Sequence, residues 1–172
     1  GGAIYNDYGK IGNITGDFVF NTSGDGGAIA NIGTWNEYYG IEASIAQVTG
    51  EFIENSAIVS DNSTGSGGAI YNTGTINIVN SSFINNTADG KGGAIYSAND
   101  LNIIASDGYT SVFEGNYSNN SGERDDNAIY MDYKSIILDE YGDDILKKET
   151  TLSFDMTNGG SVYMADNIDG VI

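Results

Sequence analysis

The chain has 172 residues, with 24 aspartates and glutamates against six lysines and arginines, a formal net charge of −18. It contains no cysteine, histidine or proline, which excludes a disulfide framework, a thiolate metal site, a Cys nucleophile, His-ligated zinc and a Ser-His-Asp triad. The negative balance opposes binding to nucleic acid or to an anionic membrane surface, because phosphates are repelled. Hydrophobic residues at 40% and aromatics at 11% set the chain apart from a disordered acidic tail. Leu101, Leu138, Leu146 and Leu152 are the only leucines, whereas isoleucine is plentiful and tyrosine numbers twelve, a composition that favours strands over helices. No apolar run is long enough to span a membrane, and no signal peptide is legible. The opening Gly1-Gly2-Ala3-Ile4, without methionine, reads as a piece excised from a longer protein.

A repeat runs from the first residue. GGAIYN covers 1–6, GGAIAN 26–31, GGAIYN 67–72 and GGAIYS 92–97, with a decayed DNAIYM at 126–131 and a weaker GGSVYM at 159–164. A second pattern, FxxN, alternates with it at Phe18–Asn21, Phe52–Asn55, Phe83–Asn86 and Phe113–Asn116. Successive GGAI-type strings begin 25, 41, 25 and 34 residues apart. The shortest unit is therefore 25 residues, and the longer intervals carry insertions.

Within one unit the elements follow in order. Ala69-Ile70-Tyr71 is a short β-prone run after two glycines. Thr75–Ile78 alternates polar and apolar, the period of a half-buried strand. Phe83-Ile84 opens a third run, and Gly, Asn, Ser and Asp supply turns between the runs. Three short strands in 25 residues describe one coil of a solenoid, which buries its apolar face only by stacking on its neighbours. Strands then pair in parallel at about 4.8 Å per coil, so like residues form columns: Ile4, Ile29, Ile70, Ile95 and Ile129; Phe18, Phe52, Phe83 and Phe113; and Asn21, Asn55, Asn86 and Asn116 at a turn. The glycine pairs suit a bend needing positive φ or close backbone approach. The absence of proline leaves nearly every N–H free for the ladders. These residues build rungs, and no helix follows GGAIYN as a phosphate-binding loop requires.

The pairing of GGAI with FxxN resembles the signature of the polymorphic outer-membrane proteins, and more broadly of autotransporter passenger domains, the type V secreted proteins of Gram-negative bacteria. The resemblance covers at least residues 1–131. It implies an all-β fold, a single-stranded right-handed parallel β-helix of about six coils with loop insertions. We expect one domain over 1–172, regular over 1–125 and degenerate over 126–172. It also implies export to the bacterial cell surface, with a membrane barrel elsewhere in the full chain and no membrane insertion by this segment. The implied role is adhesion or host-surface interaction, with a host-cell protein or glycan as partner and no cofactor. The alternatives are a passive stalk without a ligand and a polysaccharide-degrading β-helix enzyme.

Three insertions mark where loops carry function. Residues 34–47 hold the sole tryptophan, and Trp35 with Tyr38 and Tyr39 forms the candidate ligand-binding set, by its aromatic faces; packing against the flank of the solenoid is the other reading. Residues 56–66 read as a polar turn. Residues 139–150 group Asp139, Glu140, Asp143 and Asp144 before Lys147 and Lys148, room for a single helical turn. Asp143 and Asp144 with Asp125 and Asp126 suggest calcium, but no D-x-D-x-D-G loop occurs, and a solvated charged loop fits better. Arg124, flanked by acids, reads as a paired surface charge. The carboxylates show no alignment on one face, and the charge of −18 would repel a polyanionic substrate, so no catalytic residue is assigned. The N-x-S/T sequons are compositional.

Overall fold

Alternation after each glycine pair fixes the first wall of the fold. Ile70 and Asn72 point inward and are buried, while Tyr71 between them faces out. The computed structural model describes residues 1–33, 42–137 and 146–170. In it the strands Ile4–Asp7, Ile29–Ile32, Ile70–Asn72, Ile95–Ser97, Asn127–Met131 and Asn167–Gly170 form one parallel sheet. Its register joins Ile4, Ile29, Ile70, Ile95, Ile129 and Ile168 in one column.

The chain then turns into a second parallel sheet: Lys10–Thr15, Ser44–Thr49, Thr75–Val79, Leu101–Ala105 and Leu152–Met156. The third sheet is made of Phe18–Val19, Glu51–Ile53, Ser82–Ile84, Thr110–Glu114 and Ser161–Met164. A fourth joins Thr22–Ser23, Ser56–Ala57, Thr87–Ala88 and Tyr117–Ser118. The walls enclose a core of stacked Ile, Phe, Val, Leu and Ala side chains. The protein is thus a parallel β-helix, and one short 3₁₀ turn, Asn120–Gly122, is the sole helical element among the described residues.

Each motif has a separable physical reason. In FxxN the phenylalanine enters the core, where Phe18, Phe52, Phe83 and Phe113 stack with centroids 4.7, 4.7 and 4.9 Å apart. The third residue of the motif is left-handed in all four copies, at Phe20, Glu54, Asn85 and Gly115 (φ 58°, 51°, 54° and 72°). This bend aims the asparagine back inward. Asn21 Nδ2 donates to Asn55 Oδ1, Asn55 Nδ2 to Asn86 Oδ1, and Asn86 Nδ2 to Asn116 Oδ1, at 2.8–2.9 Å. The second amide hydrogen closes on the phenylalanine carbonyl of the preceding coil: Asn55 to Phe18, Asn86 to Phe52 and Asn116 to Phe83.

The two glycines of GGAI divide the roles expected of them. The first is left-handed at Gly26, Gly67 and Gly92. The second lies under the next coil, and a Cβ on Gly27 or Gly68 would collide with the carbonyl oxygen of Gly68 or Gly93.

A second ladder was not anticipated from the sequence. Asn6 Nδ2 donates to Asn31 Oδ1, Asn31 to Asn72, and Asn72 to Ser97 Oγ, at 2.7–2.9 Å. Its members are the last residues of GGAIYN and its variants, inward-facing by the same alternation that buries the isoleucines.

The C-terminal coils correct one reading. GGSVYM is not a copy of GGAIYN: Ser161–Met164 lies in the third sheet, where Met164 sits opposite Phe113 and continues the phenylalanine column. Asn158 and Gly159, both at positive φ, instead repeat the turn at Asp107-Gly108. Phe154 belongs to the second sheet, opposite Ile103. Asn167–Gly170 supplies the sixth strand of the first wall. Lys134–Ile137 pairs antiparallel with Leu146–Lys148, and residues 139–145, where the sequence left room for a helical turn, lie outside the described residues.

Two substitutions at buried polar sites separate the roles of these groups. Asn86→Ala strips the acceptor from Asn55 and the donor from Asn116, and costs about 3 kcal/mol in urea denaturation. The buried Ser111 hydroxyl has no partner among the described residues, so Ser111→Ala changes stability by less than about 0.5 kcal/mol or raises it. At the left-handed, 69% exposed Phe20, glycine stabilises by about 1 kcal/mol in the same assay, because a Cβ in that region is strained.

Candidate functional site

The alternation that buries Ile and Asn turns the tyrosine between them outward. In the first wall Tyr71, Tyr96 and Tyr130 are in register. Their rings stack nearly parallel, with centroids 4.8 Å and then 6.0 Å apart. The column breaks on either side: Ala30 lies opposite Tyr71, and Asp169 opposite Tyr130. Tyr5 beyond Ala30 stands alone and 61% exposed.

Two corners wall this tyrosine floor. On the corner preceding the glycine pairs, Lys91 places Nζ 2.9 Å from the Tyr130 hydroxyl and 4.2 Å from the centre of that ring, a cation–π contact. The loop of residues 58–66 folds along the same side. The Asp25 carboxylate accepts from Thr64 N, Thr64 Oγ1 and Ser66 N, and Ser66 Oγ accepts from Lys91 N. This loop is therefore more than the polar turn read from its sequence, since it brings Thr64 and Ser66 to the rim. On the opposite corner Asp132 Oδ2 accepts from the Tyr96 hydroxyl at 2.9 Å, and the Asp132 carbonyl accepts from Thr150 Oγ1. Between the walls lies a groove of about 230 Å³ lined by Thr64, Ser66, Tyr71, Gly90, Lys91, Tyr96, Asn120 and Asp132.

The groove is polar and of mixed charge. Burial and then the Asp132 hydrogen bond hold the Tyr96 hydroxyl well above the usual phenol range. Burial, then the charges of Asp25 and Asp132, also push Tyr71 up. A phenol is protonated at neutral pH in any case, and these shifts carry the protonated form to higher pH.

Two larger depressions offer less. One of about 370 Å³ runs over the second sheet, on short side chains including Thr75, Asn77, Asn102 and Ser153. The other, of about 410 Å³, includes Arg124, which is already engaged by Asp126 at 2.7 Å and by the Tyr117 ring at 4.2 Å. The paired-charge reading of Arg124 holds. Among the described residues no group of three or more Asp, Glu, His or Cys side chains is arranged to hold a metal ion.

Trp35, Tyr38 and Tyr39, the candidate set from the sequence, lie outside the described residues. The flanking described residues are Gly33, after the first-sheet strand Ile29–Ile32, and Glu42, ahead of the second-sheet strand Ser44–Thr49. Glu42 Oε1 there accepts from Asn99 Nδ2 at 2.7 Å, two coils further on. The insertion between Met131 and Leu152 issues from the same corner of the solenoid, between first and second sheets. Sequence reasoning missed the tyrosine floor, although its signal was present: the fifth position of GGAIYN is outward by period two.

Raised phenol values predict alkaline behaviour. A Tyr with a folded pKa above its unfolded 10.0 contributes stability that is complete below pH 10 and is lost as pH rises toward the folded value. In a spectrophotometric titration Tyr96 and Tyr71 ionise above the ordinary phenol range, and unfolding accompanies their ionisation. Tyr96→Phe makes stability fall less steeply above pH 10.

Residues 50–73 and 80–98 match the family model described as the Chlamydia polymorphic membrane protein repeat. Each matched segment runs from one FxxN through the following GGAI, that is, from the third wall round to the first. No curated protein and no solved structure matches the chain. The chain carries repeats of the polymorphic membrane protein type, folded as stacked coils of a parallel β-helix.

Proposed function

We propose that the chain is a surface-displayed passenger segment of a bacterial autotransporter that works in adhesion, by contact with a host-cell protein or glycan. The observation that carries this reading is the repeat match, because that repeat is named for membrane proteins of Chlamydia. The architecture supports it. Rungs whose polar groups pair coil to coil make a stiff rod, and side chains that differ from coil to coil face outward from it. The membrane barrel that export requires belongs, on this reading, to another part of the full protein.

Catalysis finds little support in the groove. Asp132 is the one carboxylate among its lining residues, whereas glycoside hydrolysis uses two flanking the scissile bond. A passive stalk is the second reading, favoured by the structural role of every repeated inward residue.

Attachment of the purified, fluorescently labelled chain to cultured epithelial cells discriminates between the two. Saturable binding is expected, with a loss of about tenfold or more in the Trp35→Ala, Tyr38→Ala, Tyr39→Ala triple variant. A chain with an intact β-type circular dichroism spectrum and no cell binding would favour the stalk. Unchanged binding by the triple variant would move the contact away from residues 34–41.

A further inference from the structure

We infer that the groove over Tyr71 and Tyr96 binds one neutral pyranose ring of a glycan, held between Lys91 on one wall and Asp132 on the other. This gives the adhesion reading a ligand, and rests on that reading only for its purpose on a cell surface. The stacked rings use their faces on one another, so the floor presents edges and hydroxyls to the groove. The Tyr71 hydroxyl has no hydrogen-bond partner among the described residues and, as a neutral phenol, can donate. Lys91 uses one of three ammonium hydrogens on Tyr130. Asp132 Oδ2 takes one bond from Tyr96 and keeps acceptor capacity. Donors thus line one side and the floor, and an anionic acceptor the other. Sugar hydroxyls, each a donor and an acceptor, satisfy both.

Charge and shape narrow the class. An anionic sugar meets Asp132 and the field of a chain carrying −18, and a cationic side chain meets Lys91. A neutral polyol meets neither penalty. The volume of about 230 Å³ falls below the roughly 300–1,000 Å³ of sites for drug-sized ligands, which leaves room for a single ring. A peptide adding as a strand needs an open sheet edge. Here Ile70–Asn72 and Ile95–Ser97 are each paired on both sides.

The test is saturation-transfer NMR on the intact chain with the methyl glycosides of glucose, galactose, mannose and N-acetylglucosamine. At least one gives transfer with millimolar affinity. Tyr71→Phe and Asp132→Asn each weaken it by roughly fivefold or more, the worth of one hydrogen bond, while Tyr5→Phe leaves it unchanged. Tyr71→Phe keeps the ring in the stack, so its thermal melt should match the parent and folding does not confound the result. Silence from all four neutral sugars overturns the proposal. So does stronger binding of N-acetylneuraminic acid or of an oligolysine peptide, or sugar binding that survives both substitutions. Sugar binding without cell attachment would remove the adhesion reading and leave this site standing, and attachment without sugar binding would do the reverse.

Discussion

Everything in this fold depends on the spacing of parallel, in-register strands. Backbone hydrogen bonds hold adjacent strands about 4.7–4.9 Å apart, and the phenylalanine centroids repeat at 4.7 Å along the core. One distance therefore serves the backbone ladder, the aromatic stack and the amide ladder together. A residue that suits one coil meets its own kind above and below, which is why four different side-chain types each form a column. The same constraint explains the second glycine of each pair. Where one coil's backbone lies on the next, even a methyl group has no room.

Burying asparagines in the wall of an apolar core would be costly without complete pairing. The ladders meet that demand by running in one direction. In the FxxN ladder each internal amide gives one hydrogen to the next coil and one to the coil before, and its oxygen receives the neighbour's amide and backbone N–H. Aligned dipoles of this kind reinforce one another. Such a chain must end on a group with no donor left over, and Asp166 is that group. Its carboxylate accepts from Gly115 N, Asn116 N and Asn116 Nδ2. The polarity gives the ladder a direction, from Asn21 to Asp166. At both ends the core is partly open, around Ile4, Ile11 and Ile14 and around Phe154, Val162 and Ile168.

Most of the architecture was legible in the sequence because stacking converts spatial identity into sequence identity. The columns of Ile4, Phe18 and Asn21 and their counterparts were readable as a repeat, and so was the parallel fold. Two kinds of information were not. GGSVYM imitates a first-wall string, yet its glycines serve the turn that Asp107-Gly108 makes one coil earlier, and register assigns it to the third wall. Local resemblance cannot count residues across an insertion. The groove was illegible for a different reason: Thr64 and Lys91 come from one corner of the solenoid and Asp132 from the other, and no spacing in the chain announces their meeting.

That contrast bears on where function can reside in a repeat protein. A feature present in every coil is offered everywhere along the rod and specifies nothing, so the stacked tyrosines alone are a surface texture. Specificity requires that a column be interrupted. Here the tyrosine column runs through three coils and is bounded by Ala30 and Asp169. Within those bounds, a lysine faces an aspartate across it. The corner loop that brings Thr64 and Ser66 is anchored by Asp25, from the neighbouring coil. Regular rungs supply a rigid frame, and the few departures from the repeat, held against that frame, define one place along its length.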